Sequence, residues 1–108
     1  MRKLLLEGIP ASAGQASGKV KIIFSPQENE KIKSGDVLVT IMTNPLFVPV
    51  MKKAVAIITD KGGQLCHAAI VSREFGIPCI VGTEKATKIL KDGEEVFIDG
   101  TEGKVYSK

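Results

Sequence analysis

The chain has 108 residues, 44% hydrophobic and 25% charged, with a net charge of +3 and a single histidine. That size and balance give one domain around one core, residues 1–108, rather than a disordered chain. Its lysines are scattered and its aromatics are one tyrosine and four phenylalanines, which excludes the basic stripe and stacking platform of a nucleic-acid binder.

The opening, MRKLLLEGIP, holds only three leucines before Glu7, too few for a signal-peptide core or a membrane span. Cys66 and Cys79 show no disulfide framework, so a reduced, cytoplasmic setting without membrane contact is expected. The Gly-rich stretch GIPASAGQASGK reads as loop and turn. Short Val- and Ile-rich runs bounded by Gly, Pro, Asp or Ser follow at 20–24, 37–40, 54–59, 78–81 and 96–99, with a last one at 104–106. The runs at 54–59 and 79–81 are almost wholly apolar, which predicts strands covered on both faces.

Three helices are expected between these strands. Asn44-Pro45 is an N-cap followed by proline at the first helical position, opening a helix to about Lys53 that Pro49 should kink or shorten. The second starts near Cys66 and ends at Gly76 and Pro78, a left-handed cap followed by a helix breaker. At about 100° per residue, Ala68, Val71, Ser72 and Phe75 share its buried stripe, and His67 falls at the border of that stripe in the first turn. Thr83 is the expected cap of the third, with Ala86, Ile89 and Leu90 facing inward and Asp92-Gly93 ending it. Alternating strands and helices make an α/β domain with a mixed sheet.

His67, the sole imidazole, therefore stands at a helix start just after Gly62 and Gly63. The first amides of a helix have no intrahelical partner and carry partial positive charge. Glycines ahead of them let backbone approach an anion, and a neutral imidazole there is available as a nucleophile. From the residues alone a surface or capping histidine is the commoner outcome, and both readings stay open. Other chemistries fit worse. One histidine and two cysteines make an incomplete zinc set, and no metal site is expected. Cys66 at the helix start is a candidate activated thiolate, but a buried small hydrophobe is the usual fate of cysteine. Gly14-Gln15-Ala16-Ser17-Gly18-Lys19 lacks the P-loop spacing and continues with Val20 where a hydroxyl is required.

The segment TDKGGQLCHAAIVSREFGIPCIVG, residues 59–82, resembles the signature of the phosphohistidine, or swivelling, mobile domain of phosphoenolpyruvate-utilising enzymes, the phosphoenolpyruvate synthase and pyruvate phosphate dikinase family. GIPASAGQASGKV, TNPLFVPVMKKAVAIITD and KDGEEVFIDGTEGKVY resemble further segments of it, so the likeness covers nearly the whole chain. The resemblance implies a layered β/β/α fold and a phosphoryl carrier in which His67 is transiently phosphorylated. It implies phosphate contacts from Gly62, Gly63 and Cys66, and a docking or charge-compensating role for Arg73. It also implies no cofactor on this domain. Mg²⁺ and ATP would be held by partners: an ATP-grasp nucleotide-binding domain and a pyruvate- or phosphoenolpyruvate-binding domain, in trans or in a longer parent chain. Leu65 stands where several relatives carry threonine, and Ser72 where alanine is usual. The alternative expectation is a non-catalytic interaction module of the same fold with His67 unphosphorylated; a thiol enzyme using Cys66 ranks third.

Overall fold

Successive side chains on a strand point to opposite faces, and the runs 37–39, 54–58 and 79–81 of this chain are apolar at every position. A computed structural model describes residues 2–108 and shows what covers the two faces. The strands are β1 (Leu4–Glu7), β2 (Ile9–Ser12), β3 (Gln15–Ile22), β4 (Asp36–Thr40), β5 (Ala54–Thr59), β6 (Cys79–Val81), β7 (Glu95–Asp99) and β8 (Lys104–Ser107). They lie in the order β1-β8-β7-β3-β4-β5-β6-β2. The β3–β4, β4–β5 and β5–β6 pairs are parallel and the others antiparallel, so the sheet is mixed, as expected.

The long strand β3 serves two neighbours in turn: residues 15–19 pair with β7, and residues 20–22 with β4. The two ends of the strand order, β1 and β2, are consecutive in the chain and separated by Gly8 alone. The sheet is therefore folded over on itself. Val37, Val39, Ala56 and Ile58 meet Leu6, Val96, Ile98 and Val105 between the two halves. Leu38 and Ile57 point the other way, onto a second cluster with Phe47, Val50, Met51, Ala68, Ala69 and Val71 from the helical layer. This is the β/β/α layering. Gly8 is required at the crossover, since a Cβ there would lie 2.7 Å from the Thr83 Cγ2 and 2.8 Å from the Val81 carbonyl oxygen.

The Gly-rich stretch corrects the sequence reading, because residues 9–12 and 15–19 are strand, not loop. Their ladder partners, β6 and β7, lie far along the chain, and these long-range bonds override the turn-like local composition. A capping box of Ser25 and Glu28 starts an unforeseen 3₁₀ turn, Pro26–Lys31.

Asn44 does cap its helix, its Oδ1 accepting from the Leu46 amide at 2.9 Å. A 3₁₀ turn, Pro45–Phe47, leads into α1 (Val48–Met51), so the helix is shorter than the stretch to Lys53, and Pro49 sits in the first turn of α1. α2 (His67–Phe75) ends on Gly76 at φ 71°, with Ala68, Val71 and Ser72 buried, but Phe75 stays largely exposed at its last turn. α3 is one turn, Ala86–Ile89; Ala86 and Leu90 are buried and Ile89 is exposed. Thr83 is not its cap: its hydroxyl donates to the Thr59 carbonyl at 2.9 Å, and Lys85 holds the cap position. Among the described residues no helix is long and apolar enough to cross a membrane.

Candidate active site

Parallel strands deliver their following loops to the same end of the sheet, and here β4 and β5 do so side by side. The amide of Asp60 donates to the Thr40 carbonyl at 3.1 Å and that of Lys61 to the Ile41 carbonyl at 2.9 Å, zipping the two loops together. The Thr59 hydroxyl donates to the Lys61 carbonyl at 2.6 Å and fixes the turn out of β5. The chain then passes Gly62 and Gly63, and the Cys66 amide donates back to the Gly63 carbonyl at 3.1 Å just before α2 begins.

This places His67 in the first turn of α2, half-buried. Thr43, on the loop after β4 and almost fully buried, brings its Oγ1 to 2.7 Å from the His67 Nδ1. With Nδ1 engaged, Nε2 is the nitrogen left for chemistry. Met42, Thr43, Lys61, Gly62, Cys66, His67 and Ala68 line a cleft of about 220 Å³ beside the ring. Cys66 occupies the cap position without a side-chain cap bond, so the amides of the first turn have no partner from their own helix and charge this end of α2 positively.

Of the expected site residues, Gly62, Cys66 and His67 come together on the cleft, and Gly63 is next to them but does not line it. Gly62 has φ 120°, and a Cβ on it would lie 2.7 Å from the Cys66 Sγ; a Cβ on Gly63 would meet open space. Arg73 is placed elsewhere. Its Nε donates to the Ala11 carbonyl at 2.7 Å and its terminal nitrogen to the Gln64 carbonyl at 2.7 Å and Oε1 at 2.6 Å. Those contacts brace β2 and the loop ahead of α2. Asp60, within the quoted motif, turns away from the cleft: its carboxylate accepts from the Thr87 amide at 2.9 Å and the Thr87 hydroxyl at 2.5 Å, capping α3.

Thr43 was not foreseen in the sequence. It lies 24 residues from His67 and next to Asn44, whose capping role accounts for the local TNP pattern. Only the parallel β4–β5 pairing brings it to the ring.

A ring nitrogen held by Thr43 and a cleft beside the ring at the start of α2 put a single imidazole at the positive end of a helix. The chain belongs to the family described as PEP-utilising enzyme, mobile domain, whose model matches residues 32–103. It is 62% identical to a probable phosphoenolpyruvate synthase of Archaeoglobus fulgidus over 104 residues, which are 96% of this chain and 14% of that protein. The chain thus spans about one-seventh of the length of that relative. The NMR solution structure of Enzyme I superposes with a TM-score of 0.62 at 32% identity, covering 71% of this chain and 32% of that one. Aconitase X of Thermococcus kodakaraensis, in its holo-form, shares the fold alone, with a TM-score of 0.68 at 20% identity over 97% of this chain and 96% of that one.

Proposed function

We propose that the chain is a phosphoryl carrier, with His67 Nε2 as the nucleophile, working within a phosphoenolpyruvate synthase-like system. The observation that carries this reading is the 2.7 Å contact between Thr43 Oγ1 and His67 Nδ1. When Nδ1 carries the ring proton and donates it to Thr43, the lone pair sits on Nε2. Nε2 then attacks the donor phosphorus, the bond from phosphorus to the donor's leaving oxygen breaks, and that oxygen departs with the bonding electrons. The phosphorylated ring keeps its Nδ1 proton, so it is cationic and a good leaving group when the next acceptor attacks. The first-turn amides of α2 face the charge on the transferred oxygens.

Transfer at a water-exposed ring competes with hydrolysis, and the surroundings of the cleft suit docking. Met42, which lines the cleft, is 57% exposed, and Leu46 and Leu65, close in the chain to Thr43 and His67, are 73% and 85% exposed, apolar surface that a partner's site would cover. Leucine at position 65 adds to that surface where a threonine would add a hydroxyl. In this reading Mg²⁺ and ATP belong to partner domains, a nucleotide-binding one and a pyruvate- or phosphoenolpyruvate-binding one. The setting of such a system is cytoplasmic.

The test supplies the chain with labelled phosphoenolpyruvate and a phosphoenolpyruvate synthase whose own mobile-domain histidine is replaced by alanine. Label should enter the wild-type chain in acid-labile, alkali-stable form and be absent from His67→Ala. Equal labelling of that variant, or an acid-stable label, refutes the proposal. A folded chain that takes no label returns the reading to a binding module.

A further inference from the structure

The geometry points to Lys61 as the residue whose ammonium neutralises the phosphoryl group on His67, an inference that rests on the carrier reading above. Among the residues lining the cleft Lys61 is the one with a fixed full charge. Its backbone is pinned on both sides, the amide to Ile41 and the carbonyl to the Thr59 hydroxyl, so its side chain departs from a fixed point on the cleft wall. The adjacent carboxylate forms no ion pair with it among the described residues. Asp60 has both oxygens committed to Thr87, and the ion pairs found among the described residues involve Lys31, not Lys61.

On its other side Lys61 borders a shallower hollow with Ile41, Asp60, Glu84, Thr87 and Lys88. Asp60, Glu84 and Lys88 leave that side with one net negative charge. A dianionic group on Nε2 is the stronger attraction and draws the ammonium to the cleft. The arrangement completes a three-sided cradle: the α2 amides, the imidazole itself and a mobile ammonium that follows the phosphoryl oxygens as they arrive.

The experiment uses the chain alone with phosphoramidate, a small donor whose P–N bond breaks to release ammonia as Nε2–P forms. Phosphorus NMR then follows the rate of phosphorylation and the pH titration of the phosphoryl resonance. Lys61→Ala should slow the reaction about fivefold and Lys61→Glu about tenfold or more, both effects shrinking in high salt. The cation favours the dianion, so its loss should move the phosphoryl ionisation to higher pH. Lys61→Arg should restore both rate and titration, and amide spectra should show every variant folded. Wild-type rate and titration in Lys61→Ala would overturn the role of Lys61 while leaving the carrier reading intact. A folded wild-type chain that takes no phosphoryl group at His67 would overturn both.

Discussion

Thr43 acts on the chemistry through a single hydrogen bond, and its removal can be made nearly isosteric. Thr43→Val keeps the buried volume but leaves His67 Nδ1 without its 2.7 Å partner, so the two neutral tautomers become mixed and Nε2 loses part of its lone-pair population. The expected outcome is phosphorylation by phosphoramidate slowed about fivefold, the equivalent of one hydrogen bond of ~1 kcal/mol. Nitrogen-15 spectra of the ring should show both tautomers, and Thr43→Ser should keep a single one. An unchanged tautomer in Thr43→Val would mean that another group sets it. The glycine pair divides in a way its spacing did not show. The sequence treats both glycines alike, but the constraint falls on Gly62, with its positive φ and the Cys66 Sγ beside it. Gly62→Ala should cost about 1–2 kcal/mol from conformation alone, and more from the contact with sulfur. Gly63→Ala should lie within about 0.5 kcal/mol of wild type. Urea unfolding of the two variants decides between these assignments.

Elements whose signals are local were legible, and those completed from a distance were not. The end of α2 is written in Gly76 and Pro78, and the start of the 3₁₀ turn in Asn44-Pro45. The cap of α3 comes instead from Asp60, 27 residues upstream, which is why Thr83, the nearest plausible hydroxyl, was the wrong choice. Arg73 illustrates the same point. A charged residue on a helix near a nucleophile reads as a ligand group, yet its donors tie α2 to β2 and to Gln64. Arg73→Met should therefore lower stability by about 1–3 kcal/mol through orphaned carbonyls. It should also raise hydrogen exchange in residues 62–66, while Arg73→Lys recovers little because lysine lacks the planar fork that reaches the Ala11 carbonyl and both Gln64 oxygens at once. Beneath α2, burial pushes the Cys79 thiol from an ordinary 9.0 up to about 11, with Cys66 adding to the shift and Ser72 and Arg73 opposing it. Between those two pH values the unfolded chain gives up a proton that the folded chain keeps. Stability should accordingly be constant in this respect below pH 9 and fall from there towards pH 11. Cys79→Ala should be less stable at pH 7 but show a shallower loss over the same interval, measured by urea titration at each pH.

At the scale of the molecule, the strand order has no independent halves. β3 is shared between the two sheet layers, and the β1–β2 segment joins both ends of the order through Gly8. The apolar runs at 54–59 and 79–81 announced a sheet covered on both faces. The closure was illegible, because it depends on pairing residues 4–12 with strands near positions 80 and 105, and a Gly- and Ser-containing stretch carries no local mark of such partners. Closure has a consequence for unfolding. Neither sheet layer can open without exposing the cluster that contains Leu6, Val37, Ile58, Val96 and Val105, so the layers should melt together. Calorimetry should give a van't Hoff enthalpy equal to the calorimetric one, with a heat-capacity change of about 1.3–1.6 kcal/mol/K for a chain of this length. Tyr106, on β8, reports one layer by fluorescence, and far-UV circular dichroism reports the whole. Their midpoints should coincide, and two separated transitions would refute the shared-strand account. The same coupling confines the response to phosphorylation. The cleft is built from two loops zipped to the ends of rigid parallel strands, so a phosphoryl group on His67 should move amide resonances near residues 41–44 and 60–70 and leave β1, β7 and β8 unshifted. Shifts spreading into those strands would show that the charge is felt through the fold and not only at the helix start.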